Sequence, residues 1–341
     1  MSQKLLSIIV PSYNSEDYLE RCVCSLLPGG EDVEIIIVND GSTDRTPEIA
    51  DRLAAEHPGI VKVIHKKNGG HGSGINYGLK AATGTYLKVV DSDDRLDADS
   101  LRAVLAFLRE TVESGRTLDL LLTNYVYDKK DAKRKFVMKP RGIVSDTIVS
   151  WGKIGHIRKY HYIMMHSMTY RTELLRECHL VLPEHTFYVD NIFAFQPLPY
   201  VKTICYKDID LYWYYIGREG QSVSEEKLVK QIDQYIRVVN LMAEIYHDSK
   251  SLDAHPACLE YMLNYLEIIF TITCTFLSIR KTDIDMAKKK ALWQSIRETD
   301  ANAEEELHRR ITLKLSNLPG KTGCAVSKRL YRVCSGVLGL N

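Results

Sequence analysis

Asp91, Ser92, Asp93 and Asp94 place three carboxylates within four residues. Ionised acids at that spacing repel one another, and a cation is their natural counterpart. Hard oxygen ligands suit Mg²⁺ or Mn²⁺, and Mg²⁺ is commonly held by one or two carboxylates together with substrate phosphates. The alternative is a polar strand-end loop whose last Asp caps a helix over 99–110. A second stretch, Asn68 to Gly74 (NGGHGSG), has the glycine content of a phosphate-binding loop. It is not a Walker A loop, because Ile75 and Asn76 stand where Lys and Ser or Thr are required. Nor does it spell G-x-G-x-x-G, which disfavours a dinucleotide dehydrogenase. Its glycines, Gly69 among them, would still let a ligand approach the backbone, and the helix N-terminus beyond favours anions. An ordinary strand-to-helix turn explains the same residues. A metal-bearing carboxylate cluster facing such a loop suits a nucleoside diphosphate. Tyr13 could stack on a base and Asp40 could accept a base N–H. A half-buried rim tyrosine and a turn residue before Gly41 are the plainer readings of those two.

The elements that must position these residues follow a regular order. Apolar strand runs end at Val10, Val38, Ile64 and Val90, at intervals of 26–28 residues. Between them, Ser15 caps a helix carrying Tyr18, Leu19, Cys22, Val23 and Leu26, which ends at Pro28–Gly30. Thr46, Pro47 and Glu48 open a second helix, and a third runs near Gly74–Ala82. This β-α-β-α-β-α-β order with unbroken Ile/Val runs predicts a parallel sheet with crossover helices, buried on both faces. In open parallel sheets the ligand crevice lies at the carboxyl ends of the strands. The polar clusters after the four runs should therefore meet along one rim, which favours the metal reading of Asp91–Asp94.

Composition bounds the alternatives. The chain has 341 residues, 45% hydrophobic and 26% charged, enough for one large or two ordinary domains. A formal net charge of +1 gives no bulk electrostatic case for nucleic acid. The first residues run directly into a strand and lack a signal-peptide pattern. No stretch reaches the ~18 apolar residues of a membrane helix. The nearest, Ile268–Ile279, reads as a buried helix. The eight cysteines are scattered without paired spacing. They read as reduced, mostly core thiols of a cytoplasmic protein.

The runs Ile9–Asn14 (IVPSYN), Ile37–Asp44 (IVNDGSTD), Asn68–Gly70 and Val90–Asp94 (VDSDD) resemble, in order and spacing, the motifs of glycosyltransferase family 2. The likeness is dense over about residues 5–110 and thinner to about 222. It implies an α/β GT-A fold, a mostly parallel sheet flanked by helices, and inverting transfer from a nucleotide-diphosphate sugar. It implies that Pro11, Tyr13 and Asp40 hold the base, usually uracil, with Asn14, Asn68, Gly69 and Ser92 also at the nucleotide sugar. Asp91 would contact the donor ribose and Asp93 the metal, with Asp91 beside it as a second ligand. The family often carries Arg at the position of Ile75, leaving Lys66, Lys67 or His71 as substitutes. Thr186–Phe193 (TFYVDNIF) resembles the family's acidic motif, with Val189 in place of the usual Glu and Asp190 in the position of the base. Aromatic neighbours would raise its pKa toward a working range. A helix-capping role is the alternative for Asp190, and Glu173, Glu177 and Glu184 are rival bases without a motif. Leu211–Ser222 resembles the closing segment, where Arg218 would clamp the diphosphate; a solvated loop arginine is the alternative.

The implied domain plan is a GT-A domain over 1–222, divided near 110 into nucleotide and acceptor halves, followed by a helical region over 223–341. The stretch 150–167 should lie near the acceptor. Its histidines lack metal-ligand spacing and read as ordinary polar or core residues, with His166 a candidate acceptor contact. Helices are expected over 225–247, 257–279, 284–299 and 304–315. The resulting function is transfer from a UDP-sugar, with Mg²⁺ or Mn²⁺, to a glycan or lipid-linked acceptor. The competing class is a non-catalytic relative that binds nucleotide sugar or glycan as a partner subunit. From Leu307 to Asn341 there are seven Lys/Arg and no Asp/Glu. Val326, Leu330, Val333, Val337 and Leu338 share one helical face there. Such a segment either lies on an anionic membrane surface or packs on its own domain. Flotation with anionic vesicles, comparing the full chain with one ending at Pro319, separates the two. The peripheral-membrane reading expects only the full chain to float, and equal partitioning would sink it.

Overall fold

The computed structural model describes residues 4–129, 135–155, 163–216, 231–280 and 282–316. These fall into two compact units, one up to residue 216 and one from residue 231. In the first, β1 (Leu6–Ser12), β2 (Val33–Asn39), β3 (Val61–His65) and β4 (Tyr86–Val89) pair in parallel, in the order β3-β2-β1-β4. Every residue of β1 and β2 is buried, which is why their central runs, Ile8 to Val10 and Ile35 to Val38, are apolar. Successive side chains face opposite ways. Ile8 and Val10 join a core with Leu19 of α1 (Leu19–Leu26), Leu53 of α2 (Thr46–Glu56) and Leu101 of α4 (Ala98–Glu113). Ile9 and Pro11 meet α3 (His71–Ala81) on the other face. A Cβ on Gly78 would fall 2.4 Å from Ile9, and one on Gly74 would fall 3.1 Å from Pro11. The glycines of α3 are therefore packing residues that bring the helix down onto β1.

Three local expectations change. The helix α3 starts at His71, three residues before Gly74, because Gly70 at φ 85° turns the chain directly into it. Ser15 does not cap with its side chain. Its carbonyl accepts from the amides of Tyr18 and Leu19, each at 2.9 Å. The cap of α4 is Asp97, which accepts from Ser100 N at 2.9 Å, and not the last acid of the 91–94 cluster.

Beyond β4 the sheet becomes mixed. It continues through β8 (Met168–Arg171), β6 (Leu120–Lys129), β9 (Ile204–Ile216) and β5 (Arg95–Leu96), with β7 (Phe136–Met138) paired to β6 off this path. The strand β8 is antiparallel to both neighbours, β6 and β9 are parallel, and β5 is antiparallel to the end of β9. The pairing of Leu96 with Tyr212 and of Arg95 with Trp213 carries the aromatic end of β9 to the acids just upstream of β5.

The second unit is helical: α7 (Ile232–Ser249), α8 (Pro256–Arg280), α9 (Asp283–Thr299), α10 (Ala301–Arg309) and α11 (Ile311–Ser316). An 18-residue window of α8 reaches a mean hydropathy of 1.6. The helix is thus long and apolar enough to cross a membrane, contrary to the expectation that no stretch is. Yet 78% of that window is buried, and α8 carries Glu267, 1% exposed and bonded by Thr312 Oγ1. The helix expected over 304–315 is two, broken at Arg310. Its extended backbone lets the guanidinium reach Asn264 Oδ1 at 2.9 Å and Glu306 Oε1 at 2.6 Å. Residues 217–230 and 317–341, which hold Arg218 and the basic segment, lie outside the described residues.

Glu34 staples the edge of the parallel strands remote from their polar loops. Its Oε1 accepts from Ser7 Oγ at 2.5 Å, Thr83 N at 2.5 Å and Gly84 N at 3.1 Å, and its Oε2 from Lys62 Nζ at 2.6 Å. Burial would raise this carboxyl, but the bonds from Lys62, Ser7 and Thr83 outweigh it and hold it below the ordinary 4.5. Its stabilisation is therefore present above that pH and lost as the pH falls through the lowered value. Replacing Glu34 by Ala should cost about 3 kcal/mol in urea unfolding at neutral pH. The gap between the two proteins should narrow in acid, and an undiminished gap at pH 3 would contradict this account.

Candidate active site

The loops at the carboxyl ends of β1 to β4 bond to one another in a closed ring. Asn14 N donates to Ser42 Oγ at 3.0 Å and Thr43 N donates to Asn14 Oδ1 at 2.9 Å, joining the first loop to the second. Asp40 joins the second to the third. Its Oδ1 accepts from Lys66 Nζ at 2.5 Å and Gly69 N at 2.9 Å, and its Oδ2 from Gly70 N at 2.7 Å. Asn68 Nδ2 adds a bond to the Asp40 carbonyl at 3.0 Å. His71 Nε2 meets Asp91 Oδ1 at 2.7 Å, joining the third to the fourth. Ser92 Oγ lies 2.7 Å from Ser15 Oγ, and Arg21 donates to the Asp93 carbonyl at 2.6 Å, closing the ring.

The three acids differ in their partners. Asp94 is fully buried; its Oδ2 accepts from Tyr212 Oη at 2.5 Å and its Oδ1 from Tyr215 N at 2.8 Å. Tyr212 Oη also accepts from Asp91 N at 3.2 Å, so the end of β9 is latched to the cluster at two points. Burial, then the charges of Asp93 and Asp91, push Asp94 well above the ordinary carboxylate range. Burial would raise Asp91 too, but His71 and His166 outweigh it and hold that carboxyl low. Asp93 is 8% exposed.

His166 sits in the turn Met165–Ser167 before β8, 4% exposed, with Nε2 3.8 Å from Asp91 Oδ2. Its ring lies 4.8 Å from that of Tyr212 and 4.9 Å from that of Tyr214. Beneath it the buried Lys88 donates to the carbonyls of His166 at 2.7 Å and Met168 at 3.2 Å. Burial pulls the Lys88 ammonium down to about 7. Ligand atoms of Asp91, Asp94 and His166 lie within 4.8 Å of one another. Carboxylate and imidazole donors gathered so closely suit a divalent transition ion.

Asp190 opens α6 (Asp190–Phe195) and is half-buried. Burial raises it, His166 and His71 draw it down, Asp91 pushes it up, and the net shift is upward. The same charges act on Asp190 and on the acid cluster, so the expected base and the expected donor acids share one electrostatic environment. Val189, where the family often has Glu, is 1% exposed and packs near Gly72. Tyr188 holds φ 63°, unusual for an aromatic residue. The loop before Asp190 is tied to the third loop, with His185 N donating to Gly69 O at 2.6 Å and Ser73 Oγ to Glu184 Oε1 at 2.7 Å. Of the rival bases, Glu173 and Glu177 lie on α5 (Thr172–Glu177), paired with Arg176 and Arg171.

The structure thus brings Asn14, Asp40, Asn68, Gly69, Asp91, Ser92 and Asp93 to one rim. Pro11 packs under α3 at its base, and Tyr13 stands 52% exposed beside it. Ile75 is fully buried, Lys66 is committed to Asp40 and Lys67 is exposed, whereas His71 reaches Asp91. The sequence offered no spacing that would pair His166 with Asp91, because one lies in the turn before β8 and the other in the loop after β4.

A ring of carboxylates and backbone amides at the mouth of a parallel half-sheet suits a phosphate-bearing ligand. Residues 7–168 match the family model described as Glycosyl transferase family 2. The chain is 34% identical over 243 residues to the uncharacterized glycosyltransferase EpsJ of Bacillus subtilis (strain 168), covering 68% of this chain and 67% of EpsJ. It is similar in structure to S. aureus TarS 1–349 in complex with UDP-GlcNAc, with a TM-score of 0.71 and 23% identity, covering 98% of this chain and 92% of that one. It is also similar to the mannosyltransferase PcManGT from Pyrobaculum calidifontis in complex with GDP-Man and Mn²⁺, with a TM-score of 0.52 and 15% identity, covering 100% and 88%. The chain belongs to glycosyltransferase family 2. Its fold is GT-A, and it is a nucleotide-sugar glycosyltransferase.

Tyr212 is the testable latch. Tyr212→Phe removes the donor to Asp94 and the acceptor of Asp91 N, at a cost of about 2 kcal/mol. The unfolding midpoint should fall by about 5 °C, and an unchanged midpoint would show that the latch contributes nothing.

Proposed function

We propose that the chain moves a sugar from a UDP-sugar, with inversion, to a hydroxyl of a glycan or lipid-linked acceptor. The observation that supports the reading is the gathering of Asp40, Asp91 and Asp93 on one rim, with Asp190 within electrostatic reach of Asp91. In this reading residues 1–222 form the transferase domain and 223–341 a helical appendage. Pro11, Tyr13, Asn14 and Asp40 receive the base, Tyr13 by its exposed ring. Asn68, Gly69 and Ser92 line the donor, Asp91 meets the ribose, and Asp91 and Asp93 hold Mg²⁺ or Mn²⁺. A bound divalent ion would offset the charge of the departing diphosphate. Asp190 accepts the proton of the acceptor hydroxyl as its oxygen bonds to the anomeric carbon, and the anomeric C–O bond electrons leave with the nucleotide. The UDP-GlcNAc bound to TarS and the GDP-Man and Mn²⁺ bound to PcManGT agree in kind with this donor and ion. Arg218 is the proposed diphosphate clamp from outside the described residues. The reaction is assigned to the cytoplasm, with the basic C-terminal segment as the proposed contact with the inner membrane face.

Thermal-shift titration with UDP, GDP, CDP and dTDP, each with and without Mn²⁺, tests the donor site. Stabilisation by UDP that needs Mn²⁺ is expected, and stabilisation by another nucleotide alone would overturn the UDP assignment. Asp190→Asn should keep UDP binding and lose about 10²–10⁴-fold in kcat. Because Asp190 is raised and must be ionised to accept a proton, wild-type kcat should fall in acid at a pH above the ordinary carboxylate value. Undiminished turnover in Asp190→Asn would exclude it as the base.

A further inference from the structure

We infer that His166 supplies a nitrogen ligand to the catalytic cation, beside Asp91, while Asp94 serves as a latch and not as a ligand. The inference rests on the metal-assisted reading above and deepens it. Two observations carry it. The first is spacing. His166 Nε2 and Asp91 Oδ2 are 3.8 Å apart, too long for a hydrogen bond. Donors to one six-coordinate ion at about 2.1 Å stand roughly 3 Å apart at adjacent positions and roughly 4.2 Å apart at opposite ones. The observed separation falls between these limits.

The second observation is a buried ring fixed in place. His166 is 4% exposed, and its ring is held from several sides. Tyr212, Tyr214 and Tyr125 pack around it at 4.8, 4.9 and 5.5 Å, and Lys88 grips its carbonyl. Side chains fixed in this way are what a metal site requires of its ligands. His71 is the rival nitrogen. Its Nε2 is already bonded to Asp91 Oδ1 at 2.7 Å, and its side chain is 35% exposed. Asp94 has the ligand atoms within reach, but Tyr212 Oη and Tyr215 N occupy both its oxygens. An imidazole among oxygen donors also biases the site from Mg²⁺ toward Mn²⁺.

The test is pulsed EPR of Mn²⁺ bound to the full chain in the presence of UDP, on wild type, His166→Gln and His71→Gln. A directly bound imidazole gives a ¹⁴N coupling. The expected result is a coupling in wild type and in His71→Gln, none in His166→Gln, and at least tenfold weaker Mn²⁺ binding in His166→Gln. A wild-type spectrum with Mn²⁺ and UDP bound but no nitrogen coupling would overturn the His166 assignment and leave the metal reading standing. Failure of Mn²⁺ to bind at all, with UDP, would overturn both. Should His166→Gln fail to fold, the comparison with His71→Gln still decides, since a coupling lost there belongs to His71.

Discussion

Carboxylates a few ångströms apart repel by about 4 kcal/mol per pair at 4 Å and an effective dielectric of 20, and the end of β4 carries three of them. Each of the three residues has its own set of neighbours. Two histidines from different elements flank Asp91, the end of β9 bonds both oxygens of Asp94, and Arg21 takes the carbonyl of Asp93. These partners come from α1, α3, the turn before β8 and β9, so the acids can be tolerated only once the distant chain has folded around them. The mixed second half of the sheet is what delivers two of the four. Without the antiparallel β8 and the parallel return of β9, neither His166 nor Tyr212 would reach the cluster.

Much of this was legible beforehand because it depends on local pattern. Buried parallel strands carry apolar runs, so the ends of β1 to β4 could be read within two residues, and the polar loops follow from the topology. The 91–94 acids and Asp40 stood at those ends. What could not be read depends on contacts between remote residues. Nothing near Ser15 says that its hydroxyl faces Ser92. Nothing near His166 names Asp91. The two-residue β5 is too short to carry a pattern, and it exists because the end of β9 pairs with it. The glycines of α3 mislead for a related reason. Their spacing resembles a phosphate loop, yet Gly74 and Gly78 are small because Pro11 and Ile9 lie against them. The position of Ile75 is similar, since its side chain faces the core where the family often offers a cation.

The buried Lys88 explains how the floor of the site is joined to the sheet. Apolar residues on either side of it in β4 pack the core, whereas its ammonium reaches across to the carbonyls of His166 and Met168. An apolar residue there would leave the His166 and Met168 carbonyls without this donor. The cost of burying an amine is thus offset by fixing a single short turn to the start of β8.

The way the loop before Asp190 is moored has a consequence for how such a protein diversifies. The four loops at the carboxyl ends of β1 to β4 are cross-bonded mainly by side chains that serve one another, so a change in one disturbs the rest. The 183–189 stretch is attached to them through the His185 amide on the Gly69 carbonyl, a backbone link, through the Ser73–Glu184 pair and through Val189 packed near Gly72. Backbone links do not depend on side-chain identity, and Phe187 beside them is 44% exposed. Phe187 can therefore vary while the bonded ring of loops stays intact. This stretch can change its sequence without loosening the acids at the ends of the strands.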